Sequence, residues 1–208
     1  MAHERDSNRE AYNRIAEDWH RNHRDDTWWV EGTDKFISLL PAGASVLDAG
    51  CGGGTKAKYL SEHGIAVTGI DFAENLIAIA RAEVPEAKFA VMDMYDLSGL
   101  AAEFDGVFAQ AVLLHVPKRE VPVVLHKLAG KVQPGGLFYI AVKEIKPGQP
   151  EEEARIENDY GYEYRRFFSY FILPELEGHI RPLGLEIVHA DITPSGNSRW
   201  IQLIARKP

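Results

Sequence analysis

The sequence predicts a doubly wound α/β fold, a mostly parallel sheet with helices on both faces, and three observations carry that expectation. Between residues 44 and 144, apolar runs of strand length alternate with segments of helical periodicity. The runs are largely apolar instead of alternating with polar residues, as strands covered on both faces require. Near the end, LEIVHADI and RWIQLIARK flank TPSGNS, a hairpin-type connection that would bring an antiparallel last strand into the sheet.

Taken in order, Ser7-Asn-Arg-Glu10 fits a capping box, and Tyr12, Ile15, Ala16 and Trp19 follow at helical spacing, so an amphipathic helix should begin there. A polar, tryptophan-containing connection leads to a second helix, TDKFISLL, which Pro41 and Gly43 end. The alternation then runs SVLDAG (strand), TKAKYLSEHG (helix), IAVTGID, AENLIAIARAEVP, AKFAVMD, FDGVFAQ, KREVPVVLHKLAGKV and LFYIAVKE. After Glu144 the rhythm breaks into a stretch punctuated by proline and glycine and then rich in aromatics, which reads as an inserted loop or lid. ELEGHIRPLG follows as a helix before the terminal hairpin. One domain over 1–208 is expected: a helical cap (1–43), an α/β core (44–145), an inserted lid (146–172) and a closing helix with hairpin (173–208).

Composition narrows the function. The net charge of -8, from 31 acidic against 23 basic side chains, leaves no surplus of Lys and Arg to neutralise a phosphate backbone, so no nucleic-acid partner is expected. No apolar run reaches the length of a membrane span, and MAHERDSNREAYNR has no apolar signal core, which points to a cytoplasmic protein with no membrane partner. Cys51 is the single cysteine, and no Cys/His cluster has zinc spacing, so no metal is expected. His20 and His23 could share a helix face, but on a polar helix they read as solvated side chains. Nothing in the sequence speaks to oligomeric state.

The chemistry is concentrated in 46-VLDAGCGGGT-55. A glycine loop between a strand and a helix lets backbone N–H groups approach a ligand at the helix N-terminus. The dinucleotide fingerprint is G-x-G-x-x-G, whereas the glycines here run G-x-G-x-G. Asp48, two residues before Gly50, would repel a pyrophosphate and attract an ammonium, while the helix N-terminus beyond can hold a carboxylate. Asp71 closes the second strand, 19 residues after Gly52, where a carboxylate accepts both hydrogen bonds of a ribose diol. Phe72 beside it offers a flat surface to a purine, and Asp93, after the third strand, can take an exocyclic amine. Any one of these aspartates could instead cap a helix; three at adjacent strand ends beside a glycine loop point to a ligand-binding edge.

As a set, VLDAGCGGGT, GIDFAENLIAIAR, VMDMYDL, FDGVFAQAVLLHVP and VQPGGLFYIAV resemble the successive motifs of class I S-adenosylmethionine-dependent methyltransferases, in the ubiquinone/menaquinone-type branch, over about residues 10–145. The resemblance implies a seven-stranded Rossmann-like sheet with a reversed last strand, S-adenosylmethionine as cofactor, and a small-molecule methyl acceptor. It makes 44–145 the cofactor-binding core and 146–172 the lid or acceptor-site insertion. It implies that Asp48, Gly50 and Gly52 surround the methionine part, that Asp71 holds the ribose, and that Asp93 with Met94 frames the adenine. Gln110 would lie near the transferable methyl, and Tyr12, in a Y-x-x-x-A pattern with Ala16, would close over the cofactor. Such a cofactor has no phosphate and carries a sulfonium, an ammonium and a carboxylate, which suits an acidic rim. Two other readings share the loop: a non-catalytic sensor of S-adenosylmethionine or S-adenosylhomocysteine, and an NAD(P)-dependent oxidoreductase, which Asp48 and the glycine spacing disfavour. A protein or RNA methyltransferase is a third alternative, with the acidic balance against RNA.

On the acceptor side, methyl transfer from a sulfonium disperses charge, so aligning the reactants is the protein's main task. His115, after the fourth strand, is the candidate general base, or else a loop histidine that packs. In 160-YGYEYRRFFSYF-171, Arg165, Arg166 and Phe168 could bind a flat or anionic substrate, or simply cover the sheet. Trp19 could cap the same site, and Trp28 and Trp29 invite the same question. Cys51 reads as a small loop residue.

Overall fold

A computed structural model describes residues 2–100 and 103–208; Met1 and residues 101–102, which fall in the expected cap and core, lie outside the described residues. The sheet has seven strands in the order β3-β2-β1-β4-β5-β9-β8, formed by β1 (Ser45–Ala49), β2 (Ala66–Asp71), β3 (Lys88–Val91), β4 (Phe104–Gln110), β5 (Val132–Lys143), β8 (Glu186–Ser195) and β9 (Ser198–Arg206). Strands β1 to β5 pair in parallel, and β9, the last in the chain, runs antiparallel between β5 and β8. The order reverses between β1 and β4, the switch point at whose carboxyl edge open α/β sheets bind ligands.

Helices α2 (Val30–Leu39) and α3 (Thr55–Glu62) cover one face, where Phe36, Ala57 and Leu60 pack on Val46, Phe108 and Tyr139. Helices α5 (Val121–Ala129) and α6 (Leu173–Ile180) cover the other, with Val124, Leu125, Leu128, Leu176 and Ile180 against Leu47, Val107 and Phe138. Proline in the first turn of α5 is tolerated because the N–H it lacks would be unpaired there anyway. Helix α4 (Glu74–Glu83) follows β2 and gives Leu76, with its N-cap residue Ala73, to a third cluster with Ala11, Tyr12, Ile15 and Ala16.

Those last residues belong to α1, which begins at Ala2, before the expected capping box, and ends at His23. The polar residues ahead of Ser7 continue the helix, so the Ser7 hydroxyl sits mid-helix; it donates to the Arg165 carbonyl at 3.3 Å and accepts from the Arg165 guanidinium at 3.0 Å. The stretch expected as a loop, 146–172, contains an antiparallel hairpin, β6 (Glu152–Glu157) with β7 (Tyr164–Ser169), lying on α1. Its second strand, YRRFFS, does not alternate polar with apolar residues, and its first, EEARIE, does so only through Ala154 and Ile156, so a hydrophobicity reading finds no sustained period of two there. Asn8, fully buried, ties α1 to this hairpin: its side-chain carbonyl accepts from the Phe167 N–H at 2.7 Å and its amide donates to the Phe167 carbonyl at 3.3 Å. Among the described residues no helix is long and apolar enough to cross a membrane.

Candidate active site

The glycine loop leaves β1 in a conformation that only glycine adopts without strain. Gly50 has φ +76° and Gly52 φ +54°, and a Cβ on Gly50 would lie 2.4 Å from a Val112 methyl. The Gly50 and Cys51 N–H groups both donate to the Ile70 carbonyl, which folds the loop over the end of β2. Asp71 then locks the two strand ends together: one carboxylate oxygen accepts from the Gly52 N–H at 3.0 Å and the other from the Ala73 N–H at 2.9 Å. Each oxygen keeps a lone pair for a further donor. Burial pushes the Asp71 carboxyl up to about 6, against the pull of these backbone donors.

Asp48 is 2% exposed, and one of its carboxylate oxygens has no hydrogen-bond partner. Burial, reinforced by Asp71 and opposed by Lys56, raises its carboxyl to about 7. Gln110, at the end of the adjacent β4, is also buried with neither its carbonyl nor its amide partnered. Ala111, the next residue, has φ +54°, a left-handed conformation costly for a residue with a side chain and concentrated at functional positions.

These residues open onto a cleft at the carboxyl edge with two compartments that share Gly50, Asp71, Phe72, Val112 and His115 as walls. The smaller, about 480 Å³, is lined by Met92, Asp93 and Met94. Asp93 is partly committed there: it accepts from the Tyr95 N–H at 3.0 Å and pairs with Arg5 at 3.4 Å. The larger, about 1000 Å³ and open to solvent, contains Asp48, Gln110, Lys56, Trp19, Lys143 and the aromatics of the hairpin side.

His115 lies in a 3-10 turn (Leu113–His115) between the compartments, and its hydrogen bonds define its tautomer. Nδ1 is 2.9 Å from the Phe167 carbonyl, which can only accept, so Nδ1 carries the proton. Nε2 is therefore the acceptor for the Tyr12 hydroxyl at 2.7 Å. Arg166 donates to that same hydroxyl at 3.0 Å while gripping Glu157 with its Nε (2.6 Å) and a terminal nitrogen (2.8 Å). Burial lowers the imidazole to about 3, with the Phe167 carbonyl opposing and Arg166 and Lys143 adding to the effect, so the ring is neutral at physiological pH. Its basic nitrogen is occupied, unlike that of a free general base.

Arg165, expected beside Arg166 in a substrate site, is elsewhere. Alternation along β7 sends Arg166 and Phe168 to the cleft and turns Arg165 toward Ser7 of α1. Trp19 does reach the cleft, stacked on His23 at 4.7 Å and edge-on to Tyr12 at 5.8 Å. His20, expected in solvent, is buried beneath the loop, where a Cβ on Gly53 would meet its Nδ1 at 2.3 Å. His23 is half-buried and lines the larger compartment. Among the described residues no group of three potential ligands forms a metal site. Trp29 is buried against Tyr59, away from the cleft. The Cys51 thiol, also buried, is held protonated by burial and by Asp48 and Asp71, so it is no nucleophile.

The family model of a methyltransferase domain matches residues 46–136, the segment that builds the glycine loop and the strand ends. A ubiquinone biosynthesis O-methyltransferase of Azoarcus sp. is 31% identical over 176 residues, covering 77% of this chain and 70% of that protein. The chain belongs to the class I S-adenosylmethionine-dependent methyltransferases. An S-adenosyl-L-methionine-dependent Diels-Alderase of Talaromyces variabilis is 35% identical over 119 residues, 52% of this chain and 39% of its own length. The fold matches the crystal structure of a Burkholderia thailandensis 1,6-didemethyltoxoflavin-N1-methyltransferase, which holds S-adenosylhomocysteine, with a TM-score of 0.76 at 23% identity over 96% of this chain and 86% of that one. The chain spans about half the length of several curated relatives it matches, from 39% to 57%.

For this family member the sequence reading missed Lys143, at the end of β5, and Trp200, its partner in register on β9. It also missed Lys56; Trp28, raised there with Trp19 and Trp29 as a residue that could cap the site, does line the larger compartment, with its ring stacked on Trp200 at 3.9 Å. A basic residue ending a buried strand was the one available signal; the tryptophan pair joins residues too far apart in the chain to be read locally.

Proposed function

We propose that the chain is a methyltransferase that uses S-adenosylmethionine to methylate a nucleophilic oxygen, nitrogen or carbon of a small molecule. The observation that carries this is the pairing of Asp48 and Gln110, buried polar side chains with unpartnered atoms lining one cleft at the sheet's switch point. A buried polar atom left unpaired costs about 1–3 kcal/mol, so such a pair implies a ligand of complementary polarity. An amino-acid head group supplies it: the ammonium suits Asp48, and the carboxylate suits the N-terminus of α3 with Lys56 beside it. Asp71 retains acceptor capacity for a ribose diol, and Phe72, Met94 and Asp93 suit an adenine in the smaller compartment. Gly50 and Gly52 allow close backbone approach, and Tyr12 bounds the space from the α1 side.

S-adenosylmethionine, when bound, supplies an electrophilic methyl on a sulfonium. The chain's own contribution is alignment, and the Glu157–Arg166–Tyr12–His115 chain of hydrogen bonds fixes the wall between the compartments. His115 acts in this reading by holding Tyr12 and β7 in place. The acidic balance and the concave cleft favour a small-molecule acceptor over nucleic acid, and we place the protein in the cytoplasm.

A second reading, use of the cofactor without methyl transfer, draws support from the likeness to a Diels-Alderase. Incubation with methyl-labelled S-adenosylmethionine and a fractionated metabolite extract separates the two. Transfer of label to a small molecule with matching release of S-adenosylhomocysteine is expected. Tight cofactor binding with no label moved in any fraction would favour the second reading, and NAD(P) binding in place of S-adenosylmethionine would overturn both.

A further inference from the structure

The larger compartment contains a lysine, Lys143, that aromatic faces surround in place of a carboxylate. Three cations surround the Phe168 ring: Arg166 at 5.1 Å, Lys143 at 5.3 Å and Arg155 at 5.7 Å from its centroid. Arg166 is paired with Glu157, and Arg155 with Glu153. Lys143 has no hydrogen-bond or ion-pair partner among the described residues, and its ammonium lies instead over the faces of Phe168 and Trp200, 5.5 Å from the latter. Burial and the fields of Arg166, Arg155 and Lys146 pull this ammonium down to about 8, with Glu157 opposing. An anion would relieve that cost, as any opposite charge within a few ångströms does.

The walls around Lys143 specify the anion's shape. Trp28 and Trp200 are stacked with only 12° between their planes, and together with Phe168 and Leu114 they form a flat apolar surface. Lys143 stands two residues past Ala141, the register partner of Gln110, so the cation and the polar atoms assigned above to the cofactor share one cavity.

We propose that Lys143 is the acceptor-binding residue, and that it receives a planar aromatic or conjugated acceptor as its oxyanion, a phenolate or enolate. This rests on the methyltransferase reading above. The acceptor's plane lies on the tryptophan and phenylalanine wall, its charged oxygen meets the Lys143 ammonium, and the proton lost on ionisation goes to water.

The test uses the whole chain saturated with S-adenosylhomocysteine and two probes of nearly equal shape, 4-nitrophenol, whose anion is yellow, and 4-nitroanisole, which cannot ionise. We expect 4-nitrophenol to bind about tenfold or more tightly, as its anion, because a charge-assisted contact of this kind is worth a tenfold step or more. Lys143→Met and Lys143→Gln should abolish the preference while S-adenosylhomocysteine affinity, measured in the same samples, stays within about twofold of the wild type, since Lys143 makes no contact assigned to the cofactor. Lys143→Arg should keep the preference. Equal binding of the two probes, binding of neither, or a preference that survives Lys143→Gln would overturn the inference and leave the functional reading standing. Failure of S-adenosylhomocysteine itself to bind the wild type would overturn both.

Discussion

The two halves of the cleft are built in opposite ways. The half assigned to the cofactor comes from strand ends and their first turns between residues 48 and 112, and backbone geometry does most of the shaping: positive-φ glycines, N–H groups aimed at Asp71, and a left-handed Ala111. The half assigned to the acceptor comes from side chains on α1, the segment at Trp28, the end of β5, the β6–β7 hairpin and β9, spanning residues 12 to 200. A backbone-built site leaves its mark in contiguous residues, because each glycine and aspartate answers a local demand. A site built from converging side chains leaves almost none. The same contrast predicts that substitutions in the first half strike fold and cofactor together, while those in the second leave the cofactor bound.

The largest effect should come from Gly50→Ala. With φ at +76° and a Val112 methyl 2.4 Å from the new Cβ, the loop must move or Val112 must leave its rotamer. A loss of about 2–4 kcal/mol is expected in denaturant unfolding, summing a left-handed alanine and a clash. Unchanged stability would mean that the loop is not the rigid half of the cleft.

Asp71→Ala comes next, with S-adenosylhomocysteine affinity weakened by about 1.5–3 kcal/mol from lost charge-assisted hydrogen bonds. Stability should fall as well, since the Gly52 and Ala73 N–H groups lose their acceptor. Calorimetric titration beside thermal unfolding resolves the two losses, and intact affinity would remove Asp71 from the cofactor site.

Asp48 makes the comparison pH-dependent. Its carboxyl is raised from the ordinary 3.8 to about 7, so the fold without ligand favours the protonated acid, and the stability it contributes is present at low pH and lost as pH rises through about 7. An ammonium ligand needs the carboxylate, so its binding should strengthen with pH up to that point. Cofactor affinity should therefore drop by up to about tenfold per pH unit below the Asp48 value, and Asp48→Asn should flatten the profile. A profile unchanged in the variant would assign the ammonium to another group.

Tyr12→Phe probes the boundary between the halves. It leaves His115 Nε2 without a donor and removes an acceptor from Arg166, at a cost of about 1–2 kcal/mol in unfolding free energy. If the tyrosine acts through this network, S-adenosylhomocysteine affinity changes less than stability does; the reverse would make Tyr12 a direct cofactor contact. The smallest effect should be that of Arg165→Ala, within about 0.5 kcal/mol in stability and with no change in acceptor binding, because among the described residues its guanidinium has one hydrogen bond, to the Ser7 hydroxyl. A loss of acceptor affinity would return Arg165 to the cleft.

Much of this architecture was legible in the sequence for physical reasons that also mark where legibility ends. Strands β1, β2, β4 and β9 are largely apolar because both faces are covered, and β4 runs over the residues expected, Phe104–Gln110. The loop at 48–54 stood out because positive φ demands glycine. The hairpin at 152–169 did not, because neither strand carries a sustained alternation of polar with apolar residues and because it is tied to α1 through Asn8, 159 residues from Phe167 in the chain. His115 was noticed by position, but the partners that occupy both its nitrogens, Tyr12 and the Phe167 carbonyl, lie 103 and 52 residues away. Arg165 and Arg166 are chemically identical neighbours, and only the strand's alternation separates them. Lys143 ends a buried strand like many lysines that reach solvent; its isolation among aromatic faces is a tertiary property.

A crystal structure with S-adenosylhomocysteine bound tests the central claim most directly. The account predicts the amino-acid head group on Asp48 and Gln110, the ribose on Asp71, the adenine between Phe72 and Met94, and an open space before the sulfur faced by Lys143, Phe168 and Trp200. A head group that leaves the Asp48 and Gln110 polar atoms unpartnered, or a sulfur directed away from the Lys143 chamber, would contradict it.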